Sequence, residues 1–201
     1  MALVAAGILL VIISNPRNSG SQCGVARWPV KTLSDPGERE IDFVPIPTLV
    51  ERLRRLHRPT VRSKTKRIKS VETTAYRIHV SLVAMKRQPD HDIDLVVAES
   101  RRRSDTMVTA FPDVACRGAK GSRQRTNMQR ARSALVTQCV NPTIAETRLT
   151  GTATITGIAF FGDTVGLGAA PNGIQLHPVL DFKSSDCQVA RHRPVPLVGS
   201  H

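Results

Sequence analysis

The sequence predicts a mainly β domain with two helices, arranged as a small Greek-key barrel of the OB type. Two observations carry this. Between Val71 and Phe182 lie five strand-like runs with one helical run between the third and fourth, and hydrophobic residues make up 40% of the 201 residues, enough for one core. The order strand-strand-strand-helix-strand-strand is preceded by an N-terminal arm and helix. The expected divisions are a signal-like leader over 1–22, an arm, helix and basic linker over 23–70, the OB-like barrel over 71–183, and a loose tail over 184–201. Such a barrel holds oligonucleotides, sugars or proteins and carries no chemistry of its own.

Ala2 to Ile13 is an apolar run too short to span a bilayer with ease and within signal-peptide range. Export, to the periplasm or beyond the cell, is therefore expected, with an uncleaved membrane anchor as the alternative. From Cys23 to Ile46 the chain is rich in Pro, Gly and charge and reads as an extended arm anchored by Trp28. Thr48 and Glu51 form a T-x-x-E capping box, and Leu49, Val50, Leu53 and Leu56 recur at helical spacing until Pro59 ends the run. Arg58 to Lys69 is a basic linker with no apolar period.

From Tyr76 the period becomes two. Tyr76, Ile78, Val80, Leu82 and Ala84 fall on one face, Arg77, His79 and Ser81 on the other, which predicts a long first strand. A turn at Gln88 to Asp90 leads to a strand with Ile93, Leu95 and Val97. A polar connection from Glu99 to Asp105 leads to a third with Met107, Thr109 and Phe111, closed by Pro112. Ser122 is placed to cap a helix whose apolar positions are Met128, Ala131, Leu135 and Cys139. The fourth strand alternates through Ala153, Ile155, Gly157 and Ala159. The last holds Ile174, Leu176, Val179, Leu180 and Phe182, and Pro178 predicts an edge or a bulge in it. Gly162 to Gly173 joins these two strands where such barrels clasp ligands, and Asn172-Gly173 suits the turn into the final strand.

Lys and Arg number 29 against 16 Asp and Glu, a net charge of +13, so the surface should attract anions. Three sets stand out: Arg52 to Lys69; Arg101, Arg102 and Arg103; and Arg117, Lys120, Arg123, Arg125, Arg130 and Arg132. On one face they would neutralise many phosphates, with affinity falling steeply as salt rises; dispersed, they are an ordinary solvated surface. Aromatic residues are only 3%, which weighs against a platform for stacking single-stranded bases. An anionic membrane surface or cell-envelope polymer is an equally good electrostatic partner.

Asp90, Asp92 and Asp94 place oxygen ligands within five residues, a composition that suits a divalent cation such as calcium, although the rest of an EF-hand loop is missing. Spacing along an extended strand makes such side chains diverge. His177, near the end of the last strand, is placed to meet this group in a closed barrel and to form an acid/base pair. The four cysteines Cys23, Cys116, Cys139 and Cys187 permit three complete pairings, and their wide spacing argues against a zinc cluster.

Several motifs together carry a likeness: Cys23-Gly24 with Arg27, Val30-Lys31-Thr32, Val71-Glu72-Thr73-Thr74, Asp90 and Asp92 before Leu95-Val96, Thr106-Met107, Pro112-Asp113 with Cys116, Thr156-Gly157 with Phe160-Phe161, and Pro171-Asn172-Gly173-Ile174 with Leu176-His177-Pro178. Over about Cys23 to Phe182 the chain resembles a family of uncharacterised, mostly exported bacterial proteins, which implies no established activity. The resemblance implies that Cys23 pairs with Cys116. Cys139 and Cys187 are peculiar to this chain, and a bridge between them is a conjecture. Asp94 stands where the pattern has a His, and Val165-Gly166-Leu167 where it has His-Gly-Gln, so any work those polar residues do in relatives is in doubt here.

The expected function is an exported, non-enzymatic module binding an anionic ligand, a nucleic acid or a cell-envelope polymer, through Arg101, Arg102, Arg103, Arg123, Arg125, Arg130 and Arg132. The alternatives are a metal-assisted hydrolase or phosphodiesterase using Asp90, Asp92, Asp94 and His177, and a structural or protein-binding envelope component.

Overall fold

A computed structural model describes residues 23–24 and 27–190, and the leader expectation lies outside them. The fold is mainly β, with one mixed sheet and few helices. The strands are β1 (Asp42–Pro47), β2 (Thr74–Arg87), β3 (Ile93–Glu99), β4 (Arg102–Phe111), β5 (Thr147–Thr150), β6 (Thr152–Phe161), β7 (Ile174–Lys183) and β8 (Gln188–Val189). The helices are α1 (Trp28–Lys31), α2 (Val50–Arg54) and α3 (Arg125–Gln138), with short 3₁₀ turns at Pro36–Glu40 and Ala119–Gly121.

β2 pairs with β3, β3 with β4, β4 with β7, β7 with β6, and β6 with β2. All of these pairs are antiparallel except β4–β7, which is parallel. The length of β2 makes this pairing possible, since its first half lies against β6 and its second half against β3. The expected alternation holds through Ile78, Val80 and Leu82, which are buried in the core. A bulge between Leu82 and Ala84 then shifts the parity, so that Met85 takes the next inward position. One extra residue turns every later side chain to the opposite face.

Pro178 also falls at a bulge, as expected. β6 and β7 slip register between Thr156 and Ala159, where the Pro178 carbonyl lies so close to Gly157 that an added Cβ would sit 2.7 Å from it. The final-strand turn is as read: Gly173 has φ +67°, and the Asn172 side-chain amide donates to the carbonyls of Leu53 and Leu56, each at 2.9 Å.

Several local expectations give way to long-range contacts. The Thr48/Glu51 box does not form. α2 begins at Val50, whose amide donates to Glu99 Oε2 at 3.0 Å, and it ends at Arg54. A carboxylate from β3 caps the first turn in place of the local pair. The arm is not simply extended, because it forms α1 and then lays β1 parallel to β2; Trp28 does anchor it, donating from Nε1 to the Arg117 carbonyl at 2.7 Å. The connection after Glu99 shortens to Ser100 and Arg101, since Glu99 already pairs with Arg102. Ser122 Oγ accepts from the Gln124 amide at 3.1 Å, and α3 starts at Arg125. The tail is not loose as far as Ala190: β8 pairs with β5, and Cys187 is bonded to Cys139. Cys23 is bonded to Cys116. Two disulfides suit an oxidising compartment, and no helix among the described residues is long and apolar enough to cross a membrane.

Candidate functional site

A cleft of about 530 Å³ opens on the outer face of β3, β4 and β7. Leu95 and Val97 point into the core, so Asp94 and Val96 point outward into the cleft, with Val108 beside them on β4 and Gln175 and His177 on β7. The β2–β3 turn supplies Gln88, Asp90 and Asp92. It closes through a 2.8 Å bond from the Gln88 amide to the Asp92 carbonyl, with His91 at φ +70°. The β6–β7 loop covers the other side with Asp163, Val165, Gly166 and Leu167. Lys31 of α1 and Lys86 of β2 complete the lining, and Lys31 Nζ also lies 5.6 Å from the centre of the Phe160 ring, which packs in turn against the His177 imidazole.

The three carboxylates of the Asp cluster and His177 thus share one cleft. Asp92 and His177 are buried, at 2% and 3% exposure. Asp92 Oδ1 accepts from the Asp113 amide at 3.0 Å, but its Oδ2 only faces His177 Nε2 across 3.3 Å. Their alignment is too poor for a hydrogen bond, and neither atom has another partner among the described residues. Burial lowers the His177 pKa against the opposing pull of Asp92, which favours a neutral imidazole. Burial raises Asp94 to about 6, with Asp92 and Asp90 adding to the rise and a 2.6 Å bond from Gln88 Nε2 opposing it. Asp90 is also raised, by burial and then by Asp92.

The metal expectation fares less well. Among the described residues no three His, Cys, Asp or Glu side chains converge as a ligand set. Asp90 Oδ1 already accepts from the Asp92 amide, Asp92 Oδ1 from Asp113, and Asp94 Oδ2 from Gln88. Asp90, Asp92 and Asp94 line the same cleft without closing round one point.

The basic sets do not gather there either. Arg101, Arg102 and Arg103 are exposed at the tip of the β3–β4 hairpin. α2 packs beside that tip, through the Glu99 bond to Val50 and through Arg54, which pairs with Asp105 and donates to the Thr106 carbonyl. Arg123, Arg125 and Arg130 are exposed before and along α3, which docks near the opposite end of β4. At 3.3 Å per residue the ten residues of β4 separate the two ends by about 30 Å. Arg132 is not a free anion ligand as expected, because its guanidinium donates at 2.7 Å to both the Phe111 and His91 carbonyls. Arg27 and Arg67 are likewise internal, paired with Glu72 and Asp35.

Sequence reasoning missed Lys31, Lys86, Gln175 and Asp163 in the cleft. They come from four separate segments, and only Asp163, inside the Gly-rich loop, carried a local signal. The positions where the chain departs from the pattern it resembles, Asp94 and Val165 to Leu167, all line the cleft. No family model, curated protein or solved structure matches this chain.

Proposed function

We propose that the chain is an exported, non-enzymatic binding module on an OB-like Greek-key barrel, and that it holds an anionic polymer of the cell envelope on exposed arginines. The barrel reading is supported by pairing that passes through β2, β3, β4, β7 and β6 and returns to β2, with α3 between β4 and β6 in sequence. Export is supported by the two disulfides.

One observation carries the ligand reading. Arg101, Arg102 and Arg103 stand exposed at the hairpin tip, none paired with a carboxylate of the described residues, and the neighbouring α2 adds exposed Arg52. A nucleic acid offers the same charge but would gain from stacked bases, and Phe111, the single aromatic residue of β3 and β4, is wholly buried against Phe182. An anionic membrane surface would also draw these arginines.

Retention on immobilised anionic polysaccharide, DNA and RNA across a salt series tests this. We expect salt-sensitive retention, strongest on the polysaccharide, with a shallower salt dependence after joint Arg101→Ser, Arg102→Ser and Arg103→Ser substitution. Salt-insensitive behaviour on all three removes the reading. The metal-assisted hydrolase has the 3.3 Å approach of Asp92 to His177 in its favour and the dispersed carboxylates against it. Divalent-ion-dependent phosphodiester cleavage lost on Asp92→Ala would replace the binding proposal.

A further inference from the structure

The cleft has a character opposite to that of the rest of the surface. Four carboxylates, Asp90, Asp92, Asp94 and Asp163, face two ammonium groups, Lys31 and Lys86, in a chain whose net charge is +13. A polyanion drawn to the arginines is repelled here. The cleft therefore asks for a different ligand.

Its walls narrow the choice. A divalent metal ion such as calcium wants six or more oxygens around one point, and these carboxylates do not converge. A sugar ring would favour an aromatic platform, and none of the residues lining the cleft is Phe, Tyr or Trp. What the cleft does offer is dispersed acceptors beside aliphatic surface. Val96 and Val108 line the wall, and Val165 and Leu167, 80% and 49% exposed, stand at the loop rim. On the floor, the buried Asp92 Oδ2 has only His177 Nε2 beside it, at 3.3 Å and poorly aligned, and no well-formed hydrogen bond among the described residues.

We infer that the cleft binds an alkylammonium ligand, a primary ammonium on a short aliphatic chain, with the ammonium drawn to Asp90 and Asp94 of the turn side, Asp163 on the facing loop, and the methylenes against Val165 and Leu167. A cleft of about 530 Å³ suits such a small molecule. An ammonium needs two or three acceptors where a metal ion needs a full shell, and the electrostatic gain from Asp92 does not require contact with it. The raised pKa of Asp94 fits the same account, because burial first, and then the neighbouring Asp92 and Asp90 carboxylates, disfavour its charge despite Lys31, and a further cation beside it would relieve both. This inference does not rest on the polymer reading and involves none of the hairpin arginines.

Titration calorimetry on the full chain tests it with 1,5-diaminopentane, pentylamine, pentanoate and calcium chloride as probes. Both amines are expected to bind saturably at pH 7.5 and pentanoate is not. Binding should weaken about tenfold in Asp94→Asn, as loss of one charge-assisted bond implies, and measurably in Asp163→Asn and Leu167→Ser. The last two sit on an exposed loop and keep the test valid if Asp94→Asn fails to fold. Binding should also weaken as pH falls through about 6, where Asp94 takes up a proton. Asp90, whose pKa burial also raises, loses negative charge in the same direction, and protonation of His177 would add a positive charge beneath the site; Lys31 and Lys86 are the cationic groups that face it. Absence of amine binding, equal binding of pentanoate, amine affinity unchanged in the loop variants, or calcium binding that excludes the amines would each overturn the inference.

Discussion

Glu72 and Asp92 are both sealed from solvent, at 0% and 2% exposure, but their surroundings differ. Glu72 is completely answered: Oε1 accepts from Arg27 and from the Phe161 amide at 2.8 Å, while Oε2 accepts from Arg27 and from the Ile68 amide at 2.8 Å. Arg27 is answered in turn by the carbonyls of Thr65, Lys66 and Phe161, and lies over the Phe160 ring. Asp92 has one amide on Oδ1 and a poorly aligned imidazole opposite Oδ2. A buried charge with every lone pair matched fixes the arm to the sheet. A buried carboxylate left short of partners at the floor of a cleft is the less stable arrangement, and on the inference above a nearby cation would offset it.

The largest test of this contrast is Glu72→Ala. It strands the Arg27 guanidinium and two amides, and should lower stability by about 3–5 kcal/mol in denaturant titrations. A loss under about 1 kcal/mol would mean that the two carboxylates are more alike than their hydrogen bonds indicate.

Asp94→Asn should act in the other direction. The Asp94 pKa rises on folding from 3.8 to about 6, so the folded state holds that proton more tightly than the unfolded chain does. Its contribution to stability is greatest below pH 3.8, declines as pH rises through about 6, and is then constant. At pH 7.5 the ionised side chain therefore costs stability, and the neutral amide should raise it by roughly 1–2 kcal/mol and flatten this part of the pH profile. His177 has the opposite sign: its lowered pKa makes the folded state refuse a proton that the unfolded chain accepts, so its contribution is lost as pH falls below 6.5. Stability measured from pH 4 to 8 in Asp94→Asn, alongside the parent chain, separates the two.

The smallest effect on stability is expected at the hairpin tip. Arg101, Arg102 and Arg103 are exposed and pair with no carboxylate of the described residues, so serine at all three positions should change stability by less than about 0.5 kcal/mol while reducing salt-sensitive retention on an anionic polymer.

Strand order and faces were legible because side chains alternate with period two, and that alternation survived until the bulge after Leu82 reversed it. The α2 cap was misread because the local hydroxyl competes with a carboxylate that is 49 residues away in sequence and adjacent only after β3 is in place. The basic composition could not distinguish Arg132, Arg27 and Arg67, which bind internal carbonyls and carboxylates, from Arg101, which does not. Asp90, Asp92 and Asp94 were legible as a group by spacing, and His177 by its place at the strand end. Lys31 and Gln175 were not, since only tertiary pairing brings α1 and β7 to one cleft.

The central claim is that the cleft carries uncompensated negative charge that a small organic cation neutralises. It is tested most directly by following the Asp94 carboxyl by NMR through a pH titration, alone and with saturating 1,5-diaminopentane. The account predicts a midpoint of about 6 in the free protein that falls by roughly one unit with the diamine bound. A midpoint in the ordinary carboxylate range, or one that the diamine leaves in place, would contradict it.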